Sequence, residues 1–179
     1  MRVITGSAGG RLLNAPAGEA VRPTADHVKE ALFNTLQFDL EGRRVLDLFG
    51  GTGQLGIEAL SRGAREAVFT DISRSSAALI RENLRRCGLQ AQVLQTDALS
   101  YLARGERFDI IFVDPPYDAG LYRPVLERIN AVDNLNEGGI IICESRAGEE
   151  LPEMLPPYHQ LRRRRYGSMA LTYYGRSSA

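Results

Sequence analysis

The sequence predicts an α/β fold with a mostly parallel sheet and an antiparallel hairpin at its C-terminal side, and three features predict it. From residue 43 onward, short apolar stretches alternate with helical patterns. A glycine-rich turn joins the first of those stretches to the first of those helices. The closing "YHQLRRRRYGSMALTYYG" breaks the rhythm and reads as two strands joined by a short Gly-Ser turn. Alternating β and α units with near-continuous apolar strands imply a parallel sheet covered on both faces.

Each element has its own signal. The opening "RVIT" and "RLLNA" flank a glycine-containing stretch and are expected to pair as a small hairpin. In "RPTADHVKEALFNTL", Pro23 and Thr24 start a helix, Asp26 suits its positive end, and Val28, Ala31, Leu32 and Leu36 form one apolar face. Strands are expected at 43–48, 66–70, 91–95, 108–113 and 138–144, with helices near 54–62, 74–87, 98–103 and 119–131. The helix over 74–87 is well marked: Ser73 caps it, Ala77, Ile80 and Leu84 share a face, and Gly88 follows its end. No repeat, low-complexity tract or linker interrupts the chain. One domain is expected over 1–179, with 1–40 as a hairpin-and-helix extension and 41–179 as the catalytic core.

Composition narrows the class. At 179 residues the chain is long enough to bury roughly 70% of its unfolded surface. No opening segment reads as a leader, and the apolar runs "IIFV" and "IIIC" are too short to span a membrane. Cys87 and Cys143 have neither metal nor disulfide spacing and are expected to be small buried hydrophobes in a reducing, cytoplasmic setting. Basic and acidic residues balance at 22 each, so any polyanion must be gripped by a local patch. Residues 158–179 carry five arginines and no acid. On a strand, the arginines at 162–165 face alternate sides, so a charged, solvated edge strand and a nucleic-acid contact are equally compatible with them. Arg22 and Thr24, just before the first helix, are the better candidates for phosphate or substrate contact.

The glycine turn, "DLFGGTGQLGIEAL", places Gly51, Gly53 and Gly56 as G-x-G-x-x-G, with Asp71 at the end of the next strand. Glycines let backbone approach a ligand, and a strand-end carboxylate accepts ribose hydroxyls. That pattern alone fits a dinucleotide oxidoreductase as well as a methyltransferase. Two more acids separate them. Asp47 precedes the glycines, where it suits a ligand's ammonium group and is a poor neighbour for a pyrophosphate. Asp97, after the third strand, is placed to accept from an adenine amino group beside the Ala98 amide. Acids at 47, 71 and 97 thus match the amino-acid, ribose and base parts of S-adenosylmethionine. Phe49 and Ile72 complete the candidate cofactor set.

"DPPY", after the fourth strand, supplies the candidate chemistry. An exocyclic base amine is a poor nucleophile because its lone pair is delocalised into the ring. Fixed oxygens that accept its two N–H bonds turn the lone pair toward a methyl donor. Asp114 offers one oxygen and the Pro115 carbonyl another; Pro115 and Pro116 hold that backbone still. Tyr117 offers a stacking face for an unpaired or extruded base. No metal-ligand cluster or Ser/His/Asp set competes, and His27 and His159 are isolated.

"RPTADHVKEALFNTL", "DLFGGTGQLGIEALSRGA" and "DPPY", in this order and spacing, resemble the bacterial RsmD-type 16S ribosomal RNA (guanine-N2)-methyltransferases. The resemblance covers nearly the whole chain. It implies a Rossmann-like class I S-adenosylmethionine-dependent methyltransferase fold of seven strands. It also implies methylation of one guanine in small-subunit ribosomal RNA, on a partly assembled subunit. The chain departs from the family in having Gly50-Gly51-Thr52-Gly53 where Ala-Gly-Ser-Gly is frequent, and in having Lys29 as its single lysine. Adenine-N6 methylation of DNA uses the same tetrapeptide, but only about forty residues precede the catalytic sheet, too few for a sequence-reading domain. Methylation of a protein glutamine is the other alternative, and the arginine-rich end is hard to motivate there.

Overall fold

The computed structural model describes residues 1–17 and 24–176. Its elements, in chain order, are α1 (Asp26–Leu36), β1 (Arg44–Asp47), α2 (Gln54–Ser61), β2 (Glu66–Asp71), α3 (Arg74–Arg86) and β3 (Gln92–Gln95). Then follow α4 (Ala98–Leu102), β4 (Phe108–Val113), α5 (Tyr122–Val132), β5 (Leu135–Arg146), β6 (Tyr158–Tyr166) and β7 (Met169–Arg176). The seven strands form one sheet in the order β3-β2-β1-β4-β5-β7-β6. β1 to β5 pair in parallel, and β7 inserts antiparallel between β5 and β6. The order reverses between β1 and β4, so the carboxyl ends of those strands open the crevice where such sheets bind ligands.

Strand pleating divides the core. Val45, Ile110, Phe112 and Ile142 face one side and pack with Val28, Leu32, Phe33, Ile57 and Ile80. Leu46, Ile111, Val113 and Ile141 face the other and pack with Tyr101, Leu102, Val125 and Ile129. Both faces are therefore covered, as the continuous apolar strands require. Both cysteines are buried and free. Among the described residues no helix is long and apolar enough to cross a membrane, and no cluster of His, Cys, Asp or Glu has the makings of a metal site.

Three elements depart from expectation by more than a residue. α5 starts at Tyr122 rather than 119, because Asp118 and Gly120 have φ of 63° and 67°. β5 begins at Leu135, ahead of the expected 138, and absorbs an irregularity at the glycine pair, with Gly138 at φ 72°. The N-terminal hairpin is reduced to one bridge, Arg2 with Leu12, extended by the Val3 N–H donating to the Arg11 carbonyl and the Leu13 N–H to the Met1 carbonyl.

That hairpin is held against α2 by a buried ion pair the sequence pattern did not indicate. Lys29 joins Val28, Leu32 and Phe33 on the buried face of α1, and Ala31 is only half-buried. Its Nζ lies 3.8 Å from Glu58, with both side chains 0% exposed, and donates to the Arg2 carbonyl at 2.6 Å. Glu58 accepts from the Ile4 and Thr5 N–H groups and from Arg62. Burial lowers the Lys29 pKa, and the Glu58 charge opposes that shift. Gly6 completes the junction at φ 91°: a β-carbon there would stand 1.9 Å from the Ser61 carbonyl oxygen.

Removing one member of such a pair strands the other in a dry site. Lys29→Ala is expected to cost about 3–5 kcal/mol, read as a lowered urea midpoint at unchanged slope. An unaltered midpoint would remove the pair from the fold's support.

Candidate functional site

The carboxyl ends of the strands surround one cavity of about 950 Å³, near the upper end of the roughly 300–1,000 Å³ usual for small-ligand sites. The sequence-predicted residues Asp47, Phe49, Gly51, Asp71, Ile72, Asp97, Ala98, Asp114, Pro115, Pro116 and Tyr117 all line it. Gly53 does not. At φ 83° it turns the chain into α2, packed behind the wall against Ile57 and Ile80.

The glycine loop is built from its neighbours. The Gly50 N–H donates to the Thr70 carbonyl, the Gly53 N–H to the Gly50 carbonyl, and the Thr70 hydroxyl to the Leu48 carbonyl. Gly51, at φ 59°, has no protein atom within 4 Å of where a β-carbon would stand, so its backbone is open to close approach. Gly56 has the opposite surroundings. A β-carbon there would meet the Phe69 ring at 2.3 Å, so the helix can lie on β2 only with glycine at this position.

Each acid has a distinct environment. Asp47 is 2% exposed and its Oδ2 accepts the Gly56 N–H at 3.0 Å. Burial, with Asp71 nearby, pushes its pKa up to about 7, against the pull of the Gly56 hydrogen bond. Asp71 accepts the Gly51 N–H on Oδ2 and the Ser73 N–H on Oδ1, both at 2.9 Å, which leaves each oxygen a further lone pair. Asp97 caps α4, accepting the Ser100 N–H, and hydrogen bonding to Ser100 lowers its pKa. Asp114 is half-buried. Burial first, then the charges of Glu144 and Asp47, raise its pKa well above the usual carboxylate range.

The rest of the tetrapeptide surrounds Asp114. Pro115 is buried and Pro116 exposed. The Arg146 guanidinium lies 4.7 Å from the centroid of the Tyr117 ring and is held at 2.6 Å by Asp118. Ile72, 72% exposed, puts an apolar side chain on the rim.

Sequence reasoning missed several wall residues. Glu144, on β5, is buried and accepts the Thr24 hydroxyl at 2.6 Å. Thr24, a candidate substrate contact in the sequence, does not line the cavity; it is 2% exposed and its hydroxyl donates to Glu144. Arg22 lies outside the described residues. Gln54 has a buried Oε1 on the cavity wall with no partner. Ala15, Pro16 and Ala17 also line the cavity. They are positioned by Asn83, 0% exposed on α3, whose Oδ1 accepts the Asn14 N–H and whose Nδ2 donates to the Asn14 and Thr52 carbonyls. Of the β6 arginines at 162–165, Arg162 and Arg163 are half-buried against the fold, while Arg164 and Arg165 are exposed. Arg163 donates to the Ala147 and Glu149 carbonyls and to the Thr172 hydroxyl, and Arg162 lies 4.7 Å from the Tyr173 ring centroid.

The family described as Conserved hypothetical protein 95 matches residues 1–175. The chain is 34% identical to Ribosomal RNA small subunit methyltransferase D of Escherichia coli K12 over 181 residues, covering 99% of this chain and 91% of that protein. It is 41% identical to the Bacillus subtilis protein YlbH over 180 residues, 97% and 98% of the two chains. Among solved structures, yhhF of Escherichia coli superposes with a TM-score of 0.89 at 33% identity, over 100% of this chain and 99% of that one. The Thermus thermophilus 16S rRNA N2 G1207 methyltransferase RsmC, in complex with AdoMet and guanosine, superposes with a TM-score of 0.72 at 26% identity. That match covers 90% of this chain and 44% of RsmC.

Asn83 ties the N-terminal segment to the glycine loop, so its loss should be felt at both. Asn83→Ala is expected to cost about 1–3 kcal/mol and to raise amide exchange at residues 14–17 and 50–53 together. Exchange that rises at neither would contradict this role.

Proposed function

The chain belongs to the RsmD family, and from that membership and the site we propose that it methylates the exocyclic N2 amine of one guanine in small-subunit ribosomal RNA. The observation that carries this reading is the opening of the Asp114-Pro115-Pro116-Tyr117 segment into the same cavity as Asp47, Asp71 and Asp97. Transfer of a methyl group from S-adenosylmethionine to ribosomal RNA is the activity of the family; the guanine N2 atom and a partly assembled subunit as substrate are the finer proposal.

The wall residues fit the donor. Asp47 and the partnerless Gln54 Oε1 are acceptors for its ammonium. The open backbone at Gly51 lets the chain approach closely, and Asp71 keeps lone pairs for ribose hydroxyls. Asp97 and Ala98 face the adenine, with the exposed Ile72 covering it. When bound, the donor would supply a methyl group from a positively charged sulfur, the carbon–sulfur bond breaking as the methyl group is transferred and the donor leaving as a neutral thioether. The protein's own part is alignment and proton handling. Asp114 accepts one amine N–H and the Pro115 carbonyl the other, so the nitrogen lone pair turns toward the methyl group. Holding two reactants in this way accounts for about 7–11 kcal/mol of a barrier. As the new N–C bond forms, the amine sheds a proton to an Asp114 carboxylate oxygen. Burial beside Glu144 and Asp47 makes that carboxylate, once ionised, more basic than an exposed one. Tyr117, with Arg146 at its ring, is the stacking candidate for the base, which must leave its stack.

Methyl-labelled donor, offered with small subunits, free ribosomal RNA and DNA from a strain lacking the enzyme, tests the reading. N2-methylguanine at one ribosomal position is expected; label in DNA alone, or in protein alone, overturns it. Asp114→Ala is expected to lower turnover about 10²–10³-fold while S-adenosylhomocysteine affinity stays within a few-fold; turnover near the parent's would remove Asp114 from the chemistry. The Asp47 pKa gives a pH prediction. With its folded value raised to about 7, ligand-free stability falls as pH rises through that value, because the folded protein there binds more protons than the unfolded chain. An ammonium partner needs the ionised form. S-adenosylhomocysteine should therefore bind about tenfold tighter at pH 8 than at pH 6, and Asp47→Asn should flatten that dependence in calorimetric titration.

A further inference from the structure

Five neighbouring strands deliver an acid to the same edge. In sheet order these are Asp97 after β3, Asp71 ending β2, Asp47 ending β1, Asp114 after β4 and Glu144 within β5. All five line the cavity. The proposed function assigns the first three to the donor and Asp114 to the amine. Glu144 comes last, on the flank of Asp114 away from the donor-binding strands, where the rest of the acceptor base would lie.

The position is built rather than incidental. Glu144 is 5% exposed yet on the cavity wall. Val113 and Cys143 are register partners, so Asp114 and Glu144 follow them as cross-strand neighbours. The Thr24 hydroxyl donates to Glu144 Oε2 at 2.6 Å, and the Tyr122 hydroxyl donates to the Glu144 backbone carbonyl. Burying a second carboxylate beside a first is unfavourable, and packing alone would favour an apolar residue here.

We propose that Glu144 is the residue that selects guanine, accepting the ring N1–H next to the amine that Asp114 and Pro115 hold. This rests on the guanine-N2 reading above. Guanine carries a ring N–H beside its exocyclic amine. Adenine and 2-aminopurine carry a lone pair on the ring nitrogen beside theirs. An ionised carboxylate only accepts hydrogen bonds, so it pairs with the first edge and repels the other two. Thr24, by holding one oxygen, keeps the carboxylate from swinging away.

The test uses small subunits reconstituted from ribosomal RNA ligated with guanine or with 2-aminopurine at the nucleotide the parent enzyme methylates. Both bases offer the same N2 amine. The parent is expected to methylate guanine faster by about a hundredfold or more. Glu144→Gln should lower that preference at least tenfold, because an amide presents either a carbonyl or an NH₂ to the ring nitrogen. S-adenosylhomocysteine affinity should not change. Thr24→Val should also lower the preference, and Thr24→Ser should restore it, which decides the matter even if Glu144→Gln fails to fold. A preference unchanged in Glu144→Gln, or in Thr24→Val, overturns the assignment. A parent product other than N2-methylguanine overturns the functional reading itself, and is seen before any variant is made.

Discussion

The hydrogen bond from the Gly56 N–H to Asp47 holds the site together. It joins the end of β1 to the first turn of α2, across the glycine loop that both elements enclose. Two conditions allow it. Gly56 must lack a β-carbon so that α2 can settle on the Phe69 ring, and Asp47 must stand in a nearly dry site. The second condition is costly, and the raised pKa of Asp47 records that cost. A buried carboxylate with one backbone donor is poised for a cationic partner, so the same contact that shapes the loop also creates the strongest demand for a ligand.

The N-terminal segment extends this arrangement. Its outer end is clamped by Lys29 and Glu58, a charge pair with no exposure to water. Its inner end is held by Asn83, which also holds the glycine loop through the Thr52 carbonyl. Residues 15–17, which follow Asn14, line the cavity although they belong to none of the helices or strands. The N-terminal extension and the parallel sheet therefore form one binding site through side-chain hydrogen bonds over long sequence separations.

Much of this is legible in the sequence. Asp47, Asp71, Asp97 and Asp114 were readable because parallel strands share one carboxyl edge, so a strand followed by an acid points to a common place. Glu144 obeys the same rule in "GGIIICE", but no motif marks it, and its partner Thr24 stands 120 residues away. Lys29 was illegible for another reason: a lone lysine on an amphipathic helix reads as a solvent contact, and only docking of the hairpin covers it. The arginines at 162–165 were expected to alternate on an edge strand. The strand lies at the edge of the sheet and its register from Arg162 to Arg165 is unbroken, so they do alternate. What periodicity could not indicate is that Arg162 lies at an aromatic ring and Arg163 donates to loop carbonyls.

The sequence by itself determined the element types, the parallel sheet with its antiparallel end, the glycine turn and the four acids with their tetrapeptide. These are local or periodic properties, set by side-chain alternation, by turn stereochemistry and by the common edge of parallel strands. Tertiary structure alone decided which acids are desolvated, which glycine is a packing contact rather than part of the cavity wall, and which hydroxyl is bonded to a carboxylate. Such properties depend on neighbours distant in sequence: Phe69 under Gly56, Thr24 on Glu144, Asn83 between Asn14 and Thr52. Charge and hydrogen-bond chemistry act over a few ångströms, and folding alone decides which residues come that close.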